Sequence, residues 1–307
     1  MSEPDDKANL VAVDWGTTSF RAYWVKAGAI AAEVSEASGI LSIGAGEHGA
    51  VLRGLIGRLP EDARDCPIVM SGMIGSRQGW IEAPYVGMPA TLADLAARVV
   101  SIDEPGLGPI RLIPGVMQEP EGGMPDVMRG EETQVFGALH LMGREGGVFI
   151  MPGTHSKRIE VAGSRLLSFN SYMTGEVFAA LRGHTILGRL MAEGKASGDG
   201  FARGVEAGRD LPSGGALLNA VFGTRTLGLF GRLAAVELPD YLSGLLIAAE
   251  LSAALPRGSE GIVVGSGDLV SRYVAAAELL GRKLTPAPDR CVVAGQIAVM
   301  RRLRGAA

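Results

Sequence analysis

The sequence predicts an α/β protein of two domains, and three observations carry that expectation. Short apolar runs of strand length alternate with segments of helical periodicity along most of the chain. A strand–polar turn–strand unit over residues 11–25 returns in different letters from residue 147. At 307 residues the chain is long for a single core and comfortable for two.

The elements follow in order. Residues 10–13 and 19–26 read as paired strands around the turn Asp14-Trp15-Gly16-Thr17-Thr18, with 33–38 a third strand. Apolar spacing over 46–59 predicts a helix stopped by Pro60. Residues 67–70 form a buried strand running into Ser71-Gly72-Met73-Ile74-Gly75-Ser76. Thr91 caps a helix over 91–100, 110–113 is a strand ended by Pro114, and 131–142 is a helix with Val135, Phe136, Leu139 and Met142 on one side. The turn near 142–147 divides the chain into domains 1–143 and 144–307. In the second, 147–151, 157–161 and 164–169 read as strands, and 175–182, 185–193 and 238–255 as helices. Strand 261–265, helix 268–280, strand 282–285 and helix 290–303 complete it.

Composition excludes several classes. The net charge is −4 with no basic run, and aromatics make up 5%, so neither a nucleic-acid surface nor a base-stacking platform is expected. No apolar run approaches the roughly 18 residues of a membrane span. The opening residues 1–7 are polar and acidic, unlike a targeting peptide, and read as a frayed tail. Cys66 and Cys291 form no spacing motif and read as free thiols of a reducing cytoplasm. Four histidines without a His-x-x-x-His pair give no zinc site. Glycine, at 45 residues, sits singly or in pairs at the ends of apolar runs, as tight turns and close backbone approaches require. The segment 241–250 reads as a core helix in preference to a partner face, and a homodimer stays open.

Turns of small residues present backbone N–H groups and hydroxyls to a phosphate. The chain holds two, at Gly16-Thr17-Thr18 and at Gly153-Thr154-His155, and a strand–glycine turn–helix at Gly265-Ser266-Gly267 whose glycines admit a purine. No Gly-x-x-x-x-Gly-Lys-Ser/Thr P-loop is present. Two facing turns would clamp the phosphates of a nucleotide, and Asp14 beside the first suits magnesium, which takes oxygen ligands and keeps several waters. Asp14 also suits a simple Asx turn. In this order the three elements fit a sugar kinase–actin type fold of duplicated ribonuclease H-like domains about a cleft.

The motifs "AVDWGTTSFRA" (12–22), "MSGMIGSRQGW" with "APYVGMPA" (70–90), "IPGV" (113–116), "DVMRGEETQVFGA" (126–138), "MPGTHSK" (151–157), "MTGE" (173–176) and "YLSGLLIAAE" (241–250) resemble those of the 2-dehydro-3-deoxygalactonokinases, members of that superfamily. The first is generic; "MRGEETQ" followed by "MPGTHSK" is specific. The resemblance implies transfer of the ATP γ-phosphate to the 6-hydroxyl of 2-dehydro-3-deoxy-D-galactonate, in galactonate breakdown ahead of an aldolase.

It also implies roles. Asp14 serves the metal, with Gly16, Thr17, Thr18, Gly153, Thr154 and His155 about the phosphates and Gly265, Ser266 and Gly267 at the adenosine. Gly130-Glu131-Glu132-Thr133-Gln134 is similar to the Gly-Asp-Gln-Gln of the glycerol kinase branch, whose Asp is the base, and this selects Glu131 over Glu132. An acidic first turn is also what the helix dipole favours. Arg129 suits the substrate carboxylate. Gly72, Gly75, Ser76, Trp80 and Tyr85 wall the sugar-acid pocket in the first domain, although Trp80 equally suits the core. Lys157 and His155 offer further donors, and His155 equally suits a structural imidazole. Arg21 pairs with Asp14, with an anion, or structurally. Where many superfamily members carry Asp-x-Gly-Thr at the second turn, this chain has Met151-Pro152-Gly153-Thr154, so no second carboxylate serves the metal there. Three alternatives stay open: a kinase of a related acid or ketose, such as 2-dehydro-3-deoxygluconate; a nucleotide-binding regulator without catalysis; and a phosphohydrolase.

Overall fold

The computed structural model describes residues 8–194, 198–265 and 267–305. The expectations for residues 1–7 and for Ser266 lie outside them. The chain divides into two compact units that are not consecutive segments. The first holds residues up to 146, 160–168 and those from 290 onward; the second holds 147–159 and 169–289. The first break falls three residues after the boundary expected at 143, and the last helix belongs with the first unit.

The first unit contains β1 (Leu10–Trp15), β2 (Phe20–Lys26), β3 (Ala29–Glu36), α1 (His48–Ile56), β4 (Ile68–Ser71), β5 (Val86–Gly87), β6 (Ala90–Thr91), α2 (Leu92–Ala96), β7 (Val100–Ile102), β8 (Ile110–Leu112), β9 (Val116–Gln118), β10 (Asp126–Met128) and α3 (Glu131–Met142). Its main sheet runs β3-β2-β1-β4-β8-β7. β1 is antiparallel to β2 and parallel to β4, and β4 is parallel to β8. A strand buried on both faces reads as an unbroken apolar run, and β1 obeys this with period two. Val11, Val13 and Trp15 join the core under α1, while Leu10 and Ala12 join a second core. The small sheet β10-β9-β5 delivers β10 directly to the start of α3.

The remaining elements are β11 (Gly147–Met151), β12 (Ser156–Ala162), β13 (Arg165–Tyr172), α4 (Thr174–His184), α5 (Gly200–Gly208), α6 (Gly214–Leu229), α7 (Leu238–Ala254), β14 (Glu260–Val263), α8 (Gly267–Leu279), β15 (Lys283–Pro286) and α9 (Cys291–Gly305). The second unit's sheet is ordered β15-β14-β11-β12-β13, with β11, β14 and β15 parallel. In both units the first strand is central, with the second and third on one side and two later parallel strands on the other. That duplicated order is the ribonuclease H-like α/β topology the sequence predicts. α9 covers the first unit: Val292, Val293, Ile297 and Met300 pack with Leu10, Ala12 and Val69.

Some elements differ from expectation. No α-helix spans 185–193; only a 3-10 turn, Gly188–Leu190, forms. Thr185 leaves the helix in an extended conformation, donates its hydroxyl to the Leu181 carbonyl and accepts the Leu187 N–H, and this local bonding replaces the helical ladder. The helix expected over 91–100 stops at Ala96, and Val100 enters a strand. Thr91 does cap it, in a box with Asp94. α7 buries eleven of its 17 residues and is a core helix. α5 and α6 are additional helices, rich in glycine. Among the described residues, no helix is long and apolar enough to cross a membrane.

The contact of α5 with α7 depends on bare backbone. A Cβ on Gly204 would lie 2.0 Å from the Tyr241 carbonyl oxygen, and one on Gly208 2.2 Å from that of Leu245. Gly204→Ala is expected to destabilise the protein by about 1–3 kcal/mol, the usual cost of overpacking, seen as a lower denaturant midpoint. An unchanged midpoint contradicts the packing described.

Candidate active site

In the first unit, β1 and β4 end side by side, with Asp14 in register with Ser71 on β4 and with Arg21 across β2. After Ser71 the chain turns through Gly72, whose φ of +98° favours glycine. A Cβ there would sit 2.8 Å from the Trp15 carbonyl oxygen and 3.3 Å from Asp14 Oδ1. Gly130, at φ +107°, comes against it: its Cβ would be 3.1 Å from the Gly72 Cα. This double-glycine approach sets the first turn of α3, and with it Glu131, beside Asp14.

The two carboxylates feel each other. Burial pushes the Asp14 carboxyl up to about 6, the charge of Glu131 adds to the rise, and Arg21 opposes it. Glu131 is half-buried, and its Oε2 accepts the Arg129 N–H at 3.0 Å. Glu132 has a different task. It is fully buried, accepts the Gly130 N–H on both oxygens at 2.9 and 2.8 Å, and receives the Thr133 hydroxyl. Burial, then the charge of Glu131, pushes Glu132 up to about 8. Glu132 thus ties down the start of α3, and Glu131 is the neighbour that solvent reaches.

A donor wall stands next to them. Arg129 is buried, stacks on the Tyr85 ring with its guanidinium 4.3 Å from the centroid, and donates Nη2 to the Ala83 carbonyl at 2.8 Å. Its Nε and Nη1 are buried without a hydrogen-bond partner, as is Ser76 Oγ. The Gly75 backbone lies against Nη1, 3.1 Å from where a Cβ would be. Buried unpaired guanidinium N–H groups are costly and mark a place for an anion. Gly75, Ser76, Tyr85 and Arg129 therefore come together. Trp80 is partly buried against the first core and stacks parallel on His48, the core placement that the sequence leaves open.

The first turn is braced from outside. The Trp15 indole donates to the Ser38 carbonyl at 2.9 Å, and the Ile40 and Leu41 N–H groups donate to the carbonyls of Gly16 and Thr17. Thr17 and Thr18 stay exposed at the tip. Gly16 is not required by the local fold, since a Cβ would touch only Ser19 atoms at 3.6 Å and beyond. Its missing side chain leaves room on the outer side.

In the second unit, the turn after β11 rests on the start of α4. A Cβ on Gly175 would lie 2.4 Å from the Gly153 carbonyl oxygen, and the Glu176 N–H donates to the Thr154 carbonyl. His155 Nε2 meets Glu176 Oε2 at 2.5 Å on the surface, which gives the imidazole a structural partner. Lys157 is buried and donates Nζ to the His155 carbonyl at 3.0 Å, so it braces the turn from within. Gly153 has open space where a Cβ would stand and borders a cavity of about 270 Å³. Thr174, Asp240, Ser243, Leu269 and Arg272 also line that cavity. Arg272 pairs with Asp240 there and lies over the Phe201 ring. Gly265 ends the approach to α8, and Gly267 opens the helix at φ +68°.

Two buried residues escape sequence reading. Gln296 on α9 donates Nε2 to the Val13 carbonyl at 2.7 Å and to Ser71 Oγ at 2.8 Å, locking the ends of β1 and β4 together. Glu250 on α7 gathers three hydroxyls near the second turn. Their partners lie far away in sequence; a polar residue inside an apolar helix is the only local sign.

Magnesium needs no all-protein cage; one carboxylate with phosphate and water oxygens suffices. Asp14 fits this role, as a partly buried oxygen donor whose charge lacks full compensation. Among the described residues, no group of three metal-ligating side chains exists.

Duplicated ribonuclease H-like units, with a carboxylate at the end of the first strand and a small-residue turn after it, are the architecture of the sugar kinase–actin class. The sequence pattern of the 2-keto-3-deoxy-galactonokinases matches residues 14–299, and the chain belongs to that family. A Rhizobium meliloti (strain 1021) protein described as a probable 2-dehydro-3-deoxygalactonokinase is 38% identical over 298 residues, 94% of this chain and 96% of the relative. The 2-dehydro-3-deoxygalactonokinase of Escherichia coli (strain K12) is 32% identical over 305 residues, 98% of each chain. The crystal structure of a provisionally assigned 2-dehydro-3-deoxygalactonokinase from Sinorhizobium meliloti superposes with a TM-score of 0.85 at 37% identity, covering 95% of this chain and 98% of that one.

The raised Asp14 carboxyl has a stability consequence. Its unfolded value is near 3.8 and its folded value about 6, so ionisation opposes folding above that range and costs nothing when both states are protonated. Asp14→Asn is expected to stabilise the unliganded protein by about 3 kcal/mol at pH 7.5. The gain shrinks as pH falls through 6 and vanishes near 4, as denaturant melts across pH will read. Destabilisation at pH 7.5 contradicts the assignment.

Proposed function

We propose that this protein transfers the terminal phosphoryl group of ATP to the 6-hydroxyl of 2-dehydro-3-deoxy-D-galactonate, a step of galactonate breakdown ahead of an aldolase. The observation that carries this reading is Arg129, with two buried guanidinium nitrogens unpartnered next to the Asp14–Glu131 pair. A ketose offers those N–H groups only neutral oxygens; the C1 carboxylate of a sugar acid offers a charged acceptor, which makes the stronger hydrogen bond. The names of the relatives point to the same substrate, since 2-keto and 2-dehydro denote one carbonyl.

The chemistry assigned to each residue follows from its surroundings. Glu131 accepts a hydrogen bond from the substrate hydroxyl and takes its proton as the bond from O6 to phosphorus forms. The bond from phosphorus to the bridging oxygen breaks, and ADP leaves. Glu132 is occupied within the backbone and takes no part. Arg129, with Ser76 and Tyr85 beside it, holds the acid end of the substrate. In the second unit Gly153 and Thr154 contact the phosphates, and the cavity bordered by Gly153 and Leu269 receives the nucleoside. Asp14 holds magnesium, which supplies charge neutralisation at the phosphates.

ADP release by the purified protein across a substrate panel tests the reading. Turnover is expected with 2-dehydro-3-deoxygalactonate and little with its epimer 2-dehydro-3-deoxygluconate or with ketoses. Glu131→Gln is expected to lower kcat by roughly 10²–10⁴-fold. Arg129→Lys is expected to raise KM for the sugar acid by about tenfold or more, because a point-charge ammonium cannot reproduce the planar donor set stacked on Tyr85. ADP release independent of any sugar acid indicates a phosphohydrolase, and ATP binding without turnover a regulator. Near-normal turnover by Glu131→Gln overturns the base assignment.

A further inference from the structure

Glu250 is buried in α7, and the reaction described above gives it no part. Its carboxylate accepts the Ser156 hydroxyl at 2.6 Å, the Tyr273 hydroxyl at 2.6 Å and the Thr174 hydroxyl. The three donors stand on three different elements. Ser156 opens β12, directly after the second turn. Thr174 opens α4, whose Gly175 rests on the Gly153 carbonyl. Tyr273 lies on α8, the helix that follows the glycine turn assigned to the nucleoside. Thr174 and Tyr273 also line the cavity that Gly153 borders.

A carboxylate sunk among Ile247, Leu251 and Ala277 is expensive to desolvate. Three hydroxyl donors and the nearby Lys157 charge offset that cost. An apolar side chain of similar volume would hold the same helices at less cost. What it would lack is direction: it could not fix three hydroxyls, and through them three chain segments, in one arrangement.

We propose that Glu250 is a positioning residue for nucleotide binding, setting the second turn, the start of α4 and α8 in the one arrangement that receives the nucleotide. It touches no reacting atom. The inference rests on the assignment of ATP to this turn and cavity.

The test compares the KM values for ATP and for 2-dehydro-3-deoxygalactonate in wild type and Glu250→Gln. The variant keeps the volume of the side chain and removes the charge that three donors share. It is expected to raise the ATP KM by about tenfold or more, the scale of a lost charge-assisted hydrogen bond, with the sugar-acid KM within about twofold of wild type. A merely structural role would move both values or neither, and either result overturns the proposal. Where Glu250→Gln fails to fold, Thr174→Ala and Thr174→Ser decide. Alanine is expected to raise the ATP KM by about threefold or more, and serine to restore it; alanine without effect, or serine as impaired as alanine, overturns the proposal. Wild-type protein that neither binds nor consumes ATP refutes the functional reading and this inference with it. Active wild type with an unaltered Glu250→Gln refutes the inference alone.

Discussion

The contact of two bare backbones, Gly72 on Gly130, is the constraint from which the site follows. It brings the start of α3 against the end of β4, where a Cβ on Gly130 would lie only 3.1 Å from the Gly72 Cα, and so places Glu131 within the field of Asp14. Two carboxylates in a poorly hydrated corner repel. The fold accepts that repulsion and reinforces it from three directions: Glu132 clamps the Gly130 N–H, Gln296 ties β1 to β4, and the Trp15 indole pins the first turn to Ser38. A corner held against its own charge has free energy to recover from a cation or a proton.

The same economy of shape governs the rest. Arg129 is fixed by one hydrogen bond and one aromatic face, with its other nitrogens left unpaired. Those two buried nitrogens are what the proposed sugar-acid carboxylate would meet. In the second unit the turn at Gly153 is supported from below by Lys157, Gly175 and the hydroxyl cluster of Glu250. Its outer side stays open. Each turn is thus braced from behind, with room at its glycine.

Much of this was legible in the sequence. The strands at both unit starts read as short apolar runs, and α3 occupies the expected 131–142, because Gly130 and Gly143 stop it where propensity changes. Within one unit Asp14, Gly72 and Glu131 come together, and so do Gly75, Tyr85 and Arg129. Other features had no local signature. α5 spaces Gly200, Gly204 and Gly208 four apart for contact with α7, and glycine at those positions reads as loop until the partner helix is known. Thr185 ends a helix that apolar spacing would continue. Gln296 and Glu250 act on residues about 280 and 90 positions away, and no periodicity encodes that. The return of α9 to the first unit is likewise a matter of tertiary packing.

The most direct test of the account is the titration of the Asp14 carboxyl carbon by NMR in the unliganded protein, with and without Glu131→Gln. The account predicts a midpoint near 6 in the wild-type protein, and a lower one when the neighbouring charge is removed. A midpoint near the ordinary 3.8, or one indifferent to Glu131→Gln, would contradict the claim that these two carboxylates form one site.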